Sequence, residues 1–130
     1  MTPASNIEDV TVLVVDDDPA IREALEILLE SHDFPVRTFP SGIDLLSRCD
    51  MTSPVCLVLD IQMPEMSGFD LLRHLAGLGQ RVPTVMMSSH ADDDTKRKVL
   101  KAGAIGLLEK PFASDQLFEA LATLRAQELH

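Results

Sequence analysis

Cysteine, positive charge and long apolar runs are all scarce in this sequence, and each scarcity removes a class of protein. Only Cys49 and Cys56 occur, with no CxxC pair and no metal-ligand spacing to His32, His74, His90 or His130, so no structural zinc site is expected. Cys56 sits inside an apolar run and reads as a buried thiol behaving as a small hydrophobe, while a disulfide to Cys49 would need oxidising surroundings. Lysine and arginine total 11 against 21 aspartates and glutamates, a net charge of −10. Such a surface repels phosphate backbones, and no direct nucleic-acid binding by this chain is expected. No segment approaches the roughly 20 apolar residues of a membrane span, and Met1 to Asp9 lack the basic start and apolar run of a secretory signal. No membrane partner and a cytoplasmic location are the expectations.

What is present is an ordinary globular composition. Apolar residues make up 45% and charged residues 25% of the chain, which argues against disorder, and 130 residues suit one domain. The expected boundaries are an N-terminal extension over 1–9, one domain over 10–127 and a tail over 128–130.

Short β-branched runs alternate with helical periodicity along that domain. Val10 to Val15 is continuous and apolar, as in a strand buried on both faces of a parallel sheet. Asp18 followed by Pro19 reads as a helix cap and first turn, and Ile21, Ala24, Leu25, Leu28 and Leu29 recur at helical spacing. Val36 to Phe39 predicts a second strand, with Ser41 and Asp44 as a capping box for the next helix. Val55 to Leu59 predicts a third strand ending in Asp60, and Ser67 to Asp70 opens a helix that Gly77 and Gly79 close. Val82 to Met87, Asp92 to Ala102, Ile105 to Glu109 and Ser114 to Gln127 complete the series, with Leu117, Ala120, Leu121 and Leu124 as the last helix's core stripe. Five βα units in succession predict an α/β fold, a parallel sheet with helices on both faces.

In such sheets the site forms beyond the carboxyl ends of the strands. Strand one ends in Asp16 and Asp17, strand three in Asp60, strand four in Ser88 and strand five in Lys110. A run of aspartates more often marks a solvated turn, and Asp60, Ser88 or Lys110 alone would pass for a turn, cap or surface residue. Their joint placement carries the functional reading. Converging carboxylates repel one another unless a cation neutralises them, which predicts a hard, oxygen-preferring ion such as Mg²⁺. A carboxylate oxygen of Asp60 could then attack phosphorus, with the Lys110 ammonium neutralising charge on the transferring group and the Ser88 hydroxyl bonding its oxygens. Asp92 to Asp94 read as charges favouring a helix N-terminus, and Met63, Met66, Met86 and Met87 as packing.

These residues resemble the receiver domains of two-component response regulators over about Val10 to Leu124. Asp16-Asp17 resembles the acidic pair after strand one. Asp60 to Gly68 matches the phosphoacceptor loop D-x-x-M-P-x-M-x-G, and Lys110-Pro111-Phe112 the Lys-Pro-Phe signature. The style is that of CheY-like receivers of FixJ- and NarL-type regulators, which normally precede a helix-turn-helix output domain. The resemblance implies a flavodoxin-like, doubly wound (βα)5 fold with a five-stranded parallel sheet of order 2-1-3-4-5. It implies Asp60 as phosphoacceptor; Asp16, Asp17, Asp60 and the Gln62 backbone carbonyl as ligands of Mg²⁺, for which Mn²⁺ may substitute; and Ser88 and Lys110 as phosphoryl-binding and switch residues. Gln62 and His90 stand where such domains tune dephosphorylation, and a cis Lys110–Pro111 bond is implied.

Leu107 occupies the switch position, three residues before the lysine, where the family often has Tyr or Phe. Without a ring to swing, output is expected to lean on Ser88 and its loop. The implied partners are a sensor histidine kinase or phosphotransfer protein, a downstream effector, and a phosphorylation-dependent homodimer through helices four and five. The domain would be no enzyme beyond its own phosphotransfer and dephosphorylation. Two rivals compete. A haloacid-dehalogenase-type phosphatase would use Asp16-x-Asp18, but Ala20 departs from its signature and Asp60's loop goes unexplained. A constitutive interaction module would need an inert site.

Overall fold

The computed structural model describes residues 10–49 and 51–128; the extension expected over 1–9 and the end of the tail, His130 included, lie outside the described residues. The elements run β1 (Thr11–Val15), α1 (Pro19–Ser31), β2 (Val36–Phe39), α2 (Gly42–Arg48), β3 (Val55–Asp60), α3 (Gly68–Gly77), β4 (Thr84–Ser88), α4 (Asp93–Lys101), β5 (Gly106–Glu109) and α5 (Ser114–Glu128). All strands pair in parallel in the order β2-β1-β3-β4-β5. The expected α/β fold and strand order are therefore present.

Alternation within each strand divides the core in two. Leu13, Val15, Leu57, Leu59 and Met86 face one layer with Leu45 of α2, Leu71 and Leu75 of α3 and Val99 of α4. Val12, Val14, Cys56, Val58, Val85 and Met87 face the other with Leu25 and Leu29 of α1 and Leu117, Leu121 and Leu124 of α5. Every residue of β3 is buried, which explains why its run shows no polar alternation. Cys56 is buried and outside any disulfide, as read from its apolar neighbours.

The caps differ in detail from expectation. Asp18 Oδ1 accepts from the Ala20 N–H at 2.9 Å, with Pro19 starting α1, and Ser67 and Asp70 form a reciprocal capping box. At α2 only half of the box exists: Ser41 Oγ accepts from the Asp44 N–H, while the Asp44 carboxylate turns to Arg48. An ion pair one turn on competes successfully with the return hydrogen bond. Asp92 caps α4 through the Thr95 N–H, and that hydrogen bonding holds its carboxyl below the ordinary value. Gly79, at φ +78°, is the left-handed residue after α3, whereas Gly77 still belongs to the helix. The fourth and fifth strands start one or two residues later than read, because Val82, Pro83 and Ile105 lie in the approaches.

Candidate functional site

Strand order builds the site. β1 and β3 are neighbours, with Val15 opposite Leu59, so the next residues, Asp16 and Asp60, emerge side by side where the order reverses. β4 flanks β3, and the backbone N–H of Lys110 donates to the Ser88 carbonyl at 2.8 Å, bringing Lys110 to the same edge. Its ammonium reaches Asp16 Oδ2 at 2.7 Å and Asp60 Oδ1 at 3.2 Å. These contacts span 94 and 50 residues of chain.

Asp16, Asp60 and Ser88 are buried, whereas Asp17 is exposed at the rim. Asp16, Asp17 and Asp60 each present a carboxylate oxygen within 4.8 Å of the others. Burial and the Asp16 charge raise the Asp60 carboxyl to about 6 against an ordinary 3.8, Lys110 opposing them. Burial alone would lower the Lys110 ammonium, but its hydrogen bonds and charge pairing with Asp16 and Asp60 outweigh that and hold it above its ordinary value. An all-oxygen donor set in which the charges of Asp16 and Asp17 disfavour ionisation of Asp60 suits a hard divalent cation. The three aspartates therefore fit the expected metal, with Asp16 already shared with an ammonium.

Other expected residues surround this centre without joining it. Ser88 Oγ accepts from the His90 N–H at 2.9 Å, leaving its own proton free to donate elsewhere. Gln62 and His90 are exposed on the loops after β3 and β4. Leu107 is half-buried against the core layer that contains Met86 and Val99. The Lys110–Pro111 bond is cis.

Three supporting features escaped sequence reasoning. Arg22, one turn into α1, donates to the Asp16 carbonyl at 2.7 Å, and the Asp18 N–H donates to Asp16 Oδ1 at 2.9 Å, so the acidic loop is tied at both backbone and side chain. Glu65 takes a left-handed φ of +70° in a tight turn closed by the Met66 N–H to the Pro64 carbonyl, a conformation costly for a residue other than glycine. Gly68 lets α3 start against the end of β3. Its N–H bonds the Ile61 carbonyl at 2.9 Å, and a Cβ there would lie 2.5 Å from the Asp60 carbonyl oxygen and 2.8 Å from Met86 Cε. Met86 can move, but the backbone oxygen cannot without shifting Asp60. Gly68→Ala is expected to cost about 1–3 kcal/mol by overpacking, read as a lower denaturant midpoint. Unchanged stability would show that the loop yields freely.

A model of the response regulator receiver domain family matches residues 12–122. The chain belongs to that family. It is 40% identical over 118 residues to the response regulator protein TmoT of Ectopseudomonas mendocina, covering 91% of this chain and 54% of that protein. It is 34% identical over 113 residues to the transcriptional regulatory protein FixJ of Rhizobium meliloti, covering 87% and 55%. Thus the chain spans about half the length of the curated relatives it matches. Among solved structures it resembles the response regulator StyR at a TM-score of 0.85, with 38% identity over 92% of this chain and 60% of that one. FixJ-N follows at 0.84, with 33% identity over 91% and 94%. The receiver is a signalling domain, and among the described residues no helix is long and apolar enough to cross a membrane.

Proposed function

We propose that residues 10–127 act as the phosphoacceptor receiver of a cytoplasmic two-component response regulator, flanked by an extension and a short tail. The reading rests on one observation: the Lys110 ammonium bridges Asp16 and Asp60 at 2.7 and 3.2 Å. Asp60 accepts this bond through Oδ1, and Oδ2 has no hydrogen bond among the described residues, yet no buried side-chain polar atom is left unpartnered there. Oδ2 therefore reaches solvent and is the oxygen available to attack. Asp16 differs, because Asp18 N–H and Lys110 occupy both of its oxygens. That disfavours the dehalogenase-type phosphatase, which would need a free nucleophile on the first strand.

The donor would be the phosphohistidine of a sensor kinase or phosphotransfer protein. Asp60 Oδ2 attacks phosphorus as the P–N bond breaks and its electron pair returns to the imidazole, leaving an acyl phosphate. Asp16, Asp17, Asp60 and the Gln62 carbonyl would hold Mg²⁺ or Mn²⁺. When bound, the ion supplies positive charge that offsets repulsion between the carboxylate and the incoming phosphoryl group. Lys110 pairs with the phosphoryl oxygens, and Ser88 donates its free hydroxyl proton to them, drawing on the loop that ends at α4. Gln62 and His90, exposed beside the centre, would govern the access of water and hence hydrolysis. The domain would catalyse nothing beyond its own phosphotransfer and hydrolysis.

Incubation with Mg²⁺ and a small-molecule phosphodonor, followed by intact-mass measurement, should give one labile phosphoryl adduct, lost in Asp60→Asn or with chelator. An adduct that persists in Asp60→Asn, or steady turnover of a phosphate ester, would overturn this assignment. Output through an effector, or a homodimer on the α4 and α5 face, would follow the Ser88 loop more than Leu107. Leu107→Ala is expected to weaken phosphorylation-dependent partner binding only about twofold, about 0.4 kcal/mol, checked by titration of the phosphorylated and unphosphorylated forms.

A further inference from the structure

Two cavities of about 790 and 590 Å³ open beside α3 and α4 and share Leu72, Ala76 and Ala102, so they form one groove. None of the residues assigned above to metal, phosphoryl group or switch lines it. On α3 the lining follows helical spacing: Phe69, Leu72 and Ala76 make one apolar stripe. α4 has Val99 as its one buried residue, and beside this short, polar helix Phe69 and Leu72 stay half-buried and Ala76 exposed.

The rim is basic. Arg73, Arg81, Lys98 and Lys101 line the groove, and no acidic side chain among the described residues does. Arg73 and Lys98 pair with Asp70 and Asp94. Arg81 and Lys101 have no acidic partner among the described residues. In a protein of net charge −10, this is a basic-edged groove whose apolar part lies along Phe69, Leu72 and Ala76, and opposite charge would draw an acidic segment to it.

We propose that the α3–α4 groove docks an amphipathic helix of a partner protein, with apolar side chains along one edge and carboxylates flanking them. The apolar stripe would take the i, i+3 and i+7 anchors of a helix laid in the groove, and Arg81 and Lys101 would pair with its acids. The net acidity of the chain turns an acidic segment away elsewhere, so complementarity acts mainly as specificity. The ten residues of α3 match an occupant of about ten residues, roughly 15 Å long. Neither phosphorylation nor metal is required, so the site stands or falls apart from the Asp60 chemistry.

The test is a titration of the isotope-labelled full chain with a synthetic helical peptide bearing leucines at helical spacing and glutamates between them. Saturable shifts at Phe69, Leu72, Ala76, Lys101 and Ala102 are expected. The Arg81→Glu/Lys101→Glu variant should bind at least tenfold more weakly while its remaining resonances stay in place. A lysine-for-glutamate version of the peptide should not bind. Shifts on another face, equal binding of both peptides, or no shifts at millimolar peptide would overturn the proposal. Equal binding of a polyglutamate lacking leucines would reduce the groove to an anion patch. Self-association of the chain through the same resonances, abolished by the charge reversal, would assign the groove to a second copy and likewise overturn it.

Discussion

Asp60→Asn is expected to make the metal-free protein more stable while abolishing its capacity to take a phosphoryl group. The wild-type carboxyl sits near 6 rather than 3.8 because burial and Asp16 disfavour its charge. Between those values the folded chain binds more protons than the unfolded one, so stability contributed by this group falls as pH rises through that window and is lowest at neutrality. A shift of this size corresponds to roughly 1–3 kcal/mol at pH 7. The variant's thermal midpoint should exceed that of wild type by several degrees at pH 7 with chelator present, and the gap should shrink towards pH 4. Saturating Mg²⁺ should narrow it from the other side by stabilising the wild type alone. If the variant is no more stable than wild type at neutral pH, the carboxylate is not strained by its surroundings.

Lys110→Met should act in the opposite direction. The ammonium touches two carboxylates whose side chains are 1% and 5% exposed, and its removal leaves both without the compensating cation. Breaking a buried pair in this way costs about 3–5 kcal/mol. The Asp60 carboxyl would then rise further, since Lys110 is the influence that lowers it, so the loss should ease on acidification. Added Mg²⁺ should recover part of the stability but little of the phosphoryl transfer, because charge neutralisation of the group in flight is missing. Chemical denaturation with and without Mg²⁺, alongside the rate of adduct formation, separates these effects. Wild-type stability in chelator would mean that the bridging distances contribute nothing.

Much of this molecule is legible along the chain because its local signals agree with one another. The β3 run is apolar without alternation, and the structure buries every residue of it. Ser67 and Asp70 announce a capping box that forms in full. The half-formed box at α2 shows where legibility stops: Ser41 and Asp44 carry the same signal, but Arg48 one turn away captures the carboxylate. Asp16 and Asp17 were equivalent in the sequence, yet one is buried and bonded to Lys110 while the other sits at the rim. Nothing within three residues distinguishes them; the direction in which β1 leaves the sheet does.

The sequence by itself determined the five βα units, the aspartates and lysine that close the strands, and the family to which the chain belongs, because periodicity, caps and loop motifs are properties of neighbouring residues. Only the tertiary structure decided the rest. It made Asp16 the partner of Lys110, tied the acidic loop to Arg22, required Gly68 to be bare beside the Asp60 carbonyl, and left a basic-edged groove between α3 and α4. Those relations join residues up to 94 positions apart, and their distances follow from strand order and helix packing, which no local pattern encodes.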